Sequence, residues 1–597
     1  MPAKSVYICC DTGCTAAGGG LLASAFAAKL KNSGAACDLA PAAKRTGCHG
    51  LCEFGPVVRV EPENISYYQV RPEDVDEIYE KTIAGDEVIE RLLYKDPFGK
   101  QFKTAAENPF YIPQVKIALR NVGEIDPLDM EEAVARGVYQ ALAKALEMPP
   151  EDIVDEMEAS GLRGRGGAGF PTGKKWRYCA ASKSDIKYVV CNCDEGDPGA
   201  FMDRSILEGD PHSVLEGIAI AAKAVGARQG FIYVRDEYEG AVRHAAAAIA
   251  AAQARGVLGR NILGSDMDFD IKVIRGGGAF VCGEETALIN SIEGRTGEPR
   301  VKPPYPASSG LWGKPTLINN VETFANVAAI LHSGAQKFRE IGTRNSPGTK
   351  VFCLVGKIRR TGLIEVPMGI TLRRIVYDIG GGMMNSRPFK AIQTGGPSGG
   401  CIPEALLDIE VDFDSLAEAG GMMGSGGMIV MDSCTCMVEF AQYYVKFLSG
   451  ESCGKCTPCR EGLRKLDAIL TDIREGKGRL SDIDLMEDIC QTMRKASLCG
   501  LGKSAPNPVL TALRHFRAEY VEHVEEKYCR AGVCPSLSAF HINFDACTGC
   551  SVCARNCPAA AIEGVKKKPH QINQSKCVQC GACRDVCQFN AVTAGRR

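Results

Sequence analysis

The spacing of its cysteines constrains this chain more than any other feature. Of 597 residues, 29 are cysteine, and many fall in short regular runs. Cys547, Cys550, Cys553 and Cys557 follow C-x2-C-x2-C-x3-C, with Pro558 next; Cys577, Cys580, Cys583 and Cys587 repeat the run. Cys453, Cys456 and Cys459 form a third tight run, with Cys499 further along. At the N-terminus Cys9 and Cys14 are spaced C-x4-C, and Cys48 and Cys52 C-x3-C. Residues 1–14 lack the basic start and apolar core of an export signal, so a cytoplasmic location is expected. In reducing cytosol such spacing reads as metal ligation rather than disulfides. Three thiolates in a tight loop grip one face of a cubane cluster and a distant fourth completes it; four thiolates also suffice for a 2Fe–2S cluster. Zinc is the alternative for the three later runs, and a redox dithiol for the first group. Cys529 and Cys534 stand apart, with His523 six residues before Cys529 and His541 seven after Cys534. A zinc ion held by His523, Cys529 and Cys534 would clamp this stretch, with a fourth ligand unidentified. Free loop cysteines are the alternative, and Cys10 reads as a bystander.

Composition limits the partners. Hydrophobic residues at 45% and charged ones at 24% describe a packed chain, long enough for about four domains. A net charge of −2 gives no bulk reason to bind nucleic acid or an anionic membrane. No uncharged apolar run approaches roughly 20 residues, so no direct membrane contact is expected.

The centre carries a glycine loop. Residues 161–176 read GLRGRGGAGFPTGKKW, with G-x-G-x-x-G at Gly164, Gly166 and Gly169. Glycines admit close backbone approach and positive φ, and exposed amides cradle phosphate. Arg165, Lys174 and Lys175 add positive charge. A Rossmann fingerprint should follow a strand; here residues 150–160 read as helix, so this is not a standard Rossmann loop.

Longer motifs carry a resemblance. CNCDEGDPGAFMDR (191–204) and GGGAFVCGEETALINSIEGRTGEPRVKPPYPASSGLWGKPTLINNVET (276–323), with the glycine loop, resemble the NADH- and FMN-binding subunit of complex I and its soluble relatives in NAD-linked hydrogenases and formate dehydrogenases. The resemblance covers about residues 111–508. It implies that Gly164, Arg165, Gly166, Gly167 and Lys175 lie along FMN. Asn192, Asp194 and Glu195 would hydrogen-bond the ribityl chain and flavin ring. Phe280, Gly283, Glu284 and Glu285 would bound the reacting rings, and Asn319, Asn320 and Thr323 the FMN phosphate. Phe170, Tyr178 and Tyr305 would stack on the adenine of NAD(H). Glu195, Asp197 and Glu285 are the candidate catalytic acids. The family usually has Glu where Asp197 stands, Ala where Cys193 stands and Tyr where Phe280 stands, changes that bear on flavin potential unless they are ordinary drift.

The flanks resemble known modules too, which makes the expected fold a multidomain mix of α/β and α+β. It comprises a thioredoxin-like 2Fe–2S domain (1–88), a polar linker near 94–108, and a Rossmann-like FMN/NADH domain (108–343). A ubiquitin-like β-grasp domain (345–432), a helical bundle with one 4Fe–4S cluster (433–528) and a bacterial two-cluster ferredoxin domain (536–597) follow. In the ferredoxin module the fourth cysteine of each run ligates the other cluster, which pairs Cys547, Cys550 and Cys553 with Cys587, and Cys577, Cys580 and Cys583 with Cys557. The glycine-rich segment 420–427 reads as a loop against the cluster domain. The implied cofactors are FMN, NAD(H), one 2Fe–2S, three 4Fe–4S and one zinc. The layout is nearest that of the flavin subunit of electron-bifurcating hydrogenases. The implied partners are a hydrogenase-type or other catalytic iron–sulfur subunit, a small thioredoxin-like 2Fe–2S subunit, and ferredoxin, in a heterotrimer or larger oligomer. A formate dehydrogenase, a ferredoxin-dependent NADH/NADPH transhydrogenase and a non-catalytic electron-transfer scaffold are the alternatives.

Overall fold

The computed structural model describes residues 4–32 and 42–596. The chain forms two compact units. One comprises Met1–Gly382 with Asp408–Ala417 and Met423–Met428; the other comprises Met383–Leu407, Glu418–Met422 and Ile429–Arg597. The span 345–432, expected as one module, contributes to both.

The first unit opens with a four-stranded sheet of β1 (Ser5–Cys9), β2 (Ala42–Thr46), β3 (Val58–Glu61) and β4 (Ile65–Tyr67), ordered β2-β1-β3-β4. β1 runs parallel to β2 and antiparallel to β3. Alternate residues Val6 and Ile8 of β1 meet Val58 and Val60 of β3 under Leu22 and Phe26 of helix Gly19–Asn32. A strand expected at 36–40 lies outside the described residues; the strand seen is Ala42–Thr46. The stretch read as a polar linker is folded. β5 (Tyr94–Lys95) and β6 (Gln101–Phe102) pair, Tyr94 and Phe102 are buried, and the Tyr94 hydroxyl accepts from Arg360 Nε at 2.7 Å.

A parallel sheet follows: β7 (Tyr188–Cys193), β8 (Gln229–Arg235), β9 (Asp270–Gly276) and β10 (Thr316–Asn320), ordered β10-β7-β8-β9. Its strands carry buried runs such as Val189–Val190–Cys191 and Phe231–Ile232–Tyr233–Val234 rather than alternation, as parallel strands buried on both faces do. The chain leaves β7 toward β8 and returns through β10 on the opposite side of β7. Open α/β sheets bind ligands at such a switch point, outside the carboxyl ends of the strands. Helix Pro211–Val225 crosses helix Val321–Ser333 so closely that a Cβ on Gly217 would lie 2.1 Å from Phe324 O. A hairpin of β11 (Thr349–Gly356) and β12 (Gly362–Pro367) completes the unit.

The second unit holds the hairpin β13 (Phe389–Thr394) and β14 (Gly400–Pro403), then helices Met437–Glu451, Thr457–Arg474, Leu480–Ala496 and Asn507–Val521. Leu463, Leu466, Ile469, Leu470 and Ile473 are the buried stripe of Thr457–Arg474, a helical period read directly from the sequence. Strands Ser538–Ile542 and Val592–Arg596 then pair around two short helices, Val552–Arg555 and Ala582–Asp585. Among the described residues no helix is long and apolar enough to cross a membrane.

Candidate functional site

The carboxyl ends of β7 and β10 lie side by side, with Asn320 opposite Asn192 and Asn319 opposite Cys191. The glycine loop joins them from helix Pro150–Ser160, which ends on Gly161 in the left-handed conformation. Gly166 sits against Asn320, where a Cβ would approach to 3.2 Å. Gly167 has φ +127° and faces Gly424 equally closely, a backbone state that favours glycine. Arg165 departs from expectation. Its guanidinium is fully buried and spends its donors on the carbonyls of Arg163, Pro347 and Thr349. Its charge therefore ties the loop to β11, and only its main chain turns to the site, donating to Thr323 Oγ1 at 2.9 Å.

The acids are individually held. Asn192 donates to Gly283 O at 3.0 Å and accepts from Asp194 N at 2.9 Å. Glu195 is buried, and its carboxylate receives the amides of Asp203 and Arg204 at 3.0 and 3.2 Å, the first turn of helix Met202–Gly209. Burial raises its pKa against the pull of those amides. Asp194 faces Arg235 at 3.7 Å. Asp197 accepts from Ser425 and is pushed up to about 6 by enclosure in protein. Across the cleft Glu284 caps helix Glu285–Ile292 by accepting from Thr286 N at 2.9 Å. Glu285 lies between Lys175 and Lys302. Burial pushes its carboxyl up, but the two lysines outweigh this and hold it below the usual range. Trp176 donates to Asn319 Oδ1 at 3.0 Å, and Asn320 caps Thr323 N at the same distance. Phe280 is half-buried at the mouth, and Phe170, Tyr178 and Tyr305 are exposed.

The residues present fit a flavin mononucleotide. The glycine cradle is tight at Gly166 and Gly167, two asparagine-bearing strand ends converge beneath it, and exposed aromatic faces stand outside.

The structure gathers the cysteines into the groups that spacing suggested. Cys9, Cys14, Cys48 and Cys52 converge at the ends of β1 and β2, with Cys48 and Cys52 sulfurs 3.5 Å apart. Cys10 turns away, its thiol directed to Gly19 O. Cys453, Cys456 and Cys499 surround Cys459 at the head of helix Thr457–Arg474. One cavity is lined by Cys547, Cys550, Cys553 and Cys587, a second by Cys577, Cys580, Cys583 and Cys557, the crossed arrangement expected of two clusters.

His523, Cys529 and Cys534 meet a residue that the spacing did not reveal. Cys436 completes a fully buried quartet whose donor atoms all lie within 4.8 Å of one another. The sulfurs of Cys436 and Cys534 are 3.9 Å apart, and His523 Nε2 lies 3.4 and 3.5 Å from them. Thiolates sharing a tetrahedral zinc at 2.3 Å stand about 3.8 Å apart. His523 Nδ1 is fixed on Glu519 O at 2.6 Å, leaving Nε2 facing the three sulfurs, as a histidine ligand would. His541 is exposed and takes no part.

Segment 420–427 divides. Gly420 packs on Thr511 and Arg514, as expected of a loop against the cluster helices, whereas Gly424 and Ser425 reach Gly167 and Asp197.

The family model for the Nuo51 FMN-binding domain matches residues 157–329. The NADH-ubiquinone oxidoreductase-F iron-sulfur binding region matches 439–523, and a 4Fe-4S dicluster domain matches 539–588. The HndC subunit of the NADP-reducing hydrogenase of Solidesulfovibrio fructosivorans is 52% identical over 80% of this chain and 98% of its own. An NADH-quinone oxidoreductase chain of the F type from Rhizobium meliloti is 48% identical over 69% of this chain and 98% of its own. A solved NAD+-reducing NiFe-hydrogenase in its H2-reduced state matches with a TM-score of 0.61 and 30% identity, covering 88% of this chain and 86% of that one. The site and fold thus define a flavin- and iron–sulfur-binding oxidoreductase subunit. The chain belongs to the family of F-type NADH-quinone oxidoreductase chains and their hydrogenase counterparts.

Proposed function

We propose that this chain exchanges hydride between NAD(H) and FMN and passes the electrons singly through one 2Fe–2S and three 4Fe–4S clusters. The meeting of the β7 and β10 carboxyl ends under the glycine loop carries this reading. FMN, when bound, supplies the step from two-electron to one-electron chemistry. The protein's part is to orient and to exclude water. Asn192, Asp194 and Glu195 present polar atoms along one wall, Lys175 lies along the flavin, and Asn319, Asn320 and Thr323 close the phosphate end. Phe170, Tyr178 and Tyr305 offer faces for the adenine. Glu195, Asp197 and Glu285 set the charge around the reacting rings, and no general base is required because the transferred species is a hydride. Cys436, His523, Cys529 and Cys534 would hold a structural zinc.

The cluster inventory supports an electron-bifurcating or confurcating complex, with ferredoxin, a hydrogenase-type catalytic subunit and a small thioredoxin-like 2Fe–2S subunit as partners. Two of the chain's cysteine groups sit in the ferredoxin-type module beyond the bundle, which offers electrons a second branch. The test is anaerobic NAD+ reduction by the native complex with hydrogen, formate or NADPH as donor, each with and without reduced ferredoxin. Dependence on reduced ferredoxin is expected, and the productive donor identifies the partner. Full activity without ferredoxin would leave a plain diaphorase.

A further inference from the structure

The turn at Gly424–Ser425–Gly426 belongs to a segment to which sequence motifs assign no chemistry, yet it packs on the glycine loop at Gly167 and reaches Asp197. Gly426 has φ +125°, and a Cβ there would lie 2.4 Å from Val351 O and 2.8 Å from Lys350 Nζ. Cys353 N donates to Gly426 O at 3.0 Å, which fixes the turn on β11. On its other side Gly424 packs against Gly167. Both flanking glycines are thus pressed onto backbone, and Ser425 carries the turn's one side chain. Its hydroxyl donates to Asp197 Oδ2. The loop bearing Asp197 is itself confined, since a Cβ on Gly196 would lie 2.4 Å from Arg235 Nη1 and 3.0 Å from the Phe280 ring.

We propose that Ser425 is a positioning residue for NAD(H), holding the Asp197 carboxylate ionised and directed into the cleft beside the nicotinamide. This rests on the reading of the cleft as an FMN and NAD(H) site. The charged groups facing Asp197 are Arg235 at the end of β8, which favours its ionised form, and Glu195 on its own loop, which opposes it. Lys350, near the turn, is engaged by Glu322. Oxidised nicotinamide carries a positive charge that reduced nicotinamide lacks, so an ionised Asp197 favours NAD+ and a protonated one does not. Burial raises Asp197 to about 6, and the Ser425 hydroxyl opposes that rise. Its removal moves the titration toward neutrality.

The experiment measures NAD+ binding to the oxidised, FMN-loaded complex by calorimetry between pH 5.5 and 9, with FMN content read from absorbance. Ser425→Ala should retain FMN and shift the acid limb of the affinity profile upward by about one pH unit. That corresponds to roughly threefold weaker binding at pH 6.5, with no change at pH 9. Ser425→Thr should restore the wild-type profile, and Asp197→Asn should flatten it. A Ser425→Ala profile superimposable on wild type would overturn the proposal. So would weakening by the same factor at every pH, or loss of FMN, because each makes Ser425 merely structural. A wild-type complex that holds FMN but binds no NAD+ at any pH would overturn the reading of the cleft itself.

Discussion

Lys350 and Glu322 form an ion pair almost wholly removed from water, with side chains 0% and 1% exposed. Lys350 also donates to Val351 O at 2.7 Å, and Glu322 accepts from Val351 N at 2.8 Å. The pair ties β11 to the first turn of helix Val321–Ser333, the turn that presents Asn320 and Thr323 to the site. Lys350→Met keeps the stem and removes the ammonium, leaving Glu322 with one main-chain donor in a buried setting. Removing one partner of such a pair costs about 3–5 kcal/mol, a fall of roughly 150- to 4,000-fold in the folded-to-unfolded ratio. Replacing both partners, as in Lys350→Met with Glu322→Gln, should recover most of the loss because no charge is stranded. Burial already raises Glu322, and Lys350 and Arg165 oppose that rise. Without Lys350 its pKa climbs further, so the single variant's deficit is full above that pKa and shrinks as pH falls through it. Pulse proteolysis across a urea series, at pH 7.5 and pH 5.5, reads the effect, and flavin absorbance reads FMN retention. A single variant within about 1 kcal/mol of wild type at pH 7.5, or a double variant no better than the single, would refute the reasoning.

Cys436→Ala should release one equivalent of zinc, detected by metal analysis, while iron content stays near wild type; retained zinc would remove Cys436 from the site. Cys587→Ala should lose one cluster, roughly four irons. Adding Cys547→Ala should lose no more, whereas adding Cys577→Ala should empty the second cluster; the opposite pattern in iron assays would reverse the crossed ligation. Gly167→Ala forces a side chain into φ +127° and to 3.2 Å from Gly424. It should lower FMN content severalfold at unchanged iron, and full flavin absorbance in that variant would exclude the cradle from FMN binding.

What the sequence made legible was local. The helical stripe from Leu463 to Ile473, the strand ahead of Asn192 and the cysteine groups each depend on spacings of a few residues, which the chain displays directly. What it concealed depends on long closures. Cys436 lies 87 residues from His523, and a ligand at that separation has no spacing rule to announce it. Its only local signal was a second cysteine two positions after Cys434. Arg165 misled for the opposite reason. A basic residue inside a glycine loop suggests a phosphate clamp, but a carbonyl of β11, one just before it and one of the loop itself consume the charge, and the first two are invisible until the hairpin is placed.

Ser425 combines both difficulties. A serine among glycines reads as a solvated turn, and 228 residues separate it from Asp197. The two glycines beside it carry the information: Gly426 is pressed onto Val351, and Gly424, with φ +56°, packs against Gly167. A glycine-rich stretch is therefore ambiguous in sequence between slack and close contact. Here close contact decides, and it places the hydroxyl between those glycines on Asp197. The glutamate that the resemblance implies at that position is one methylene longer than Asp197. A shorter acid held by a neighbouring hydroxyl presents its charge from a fixed place.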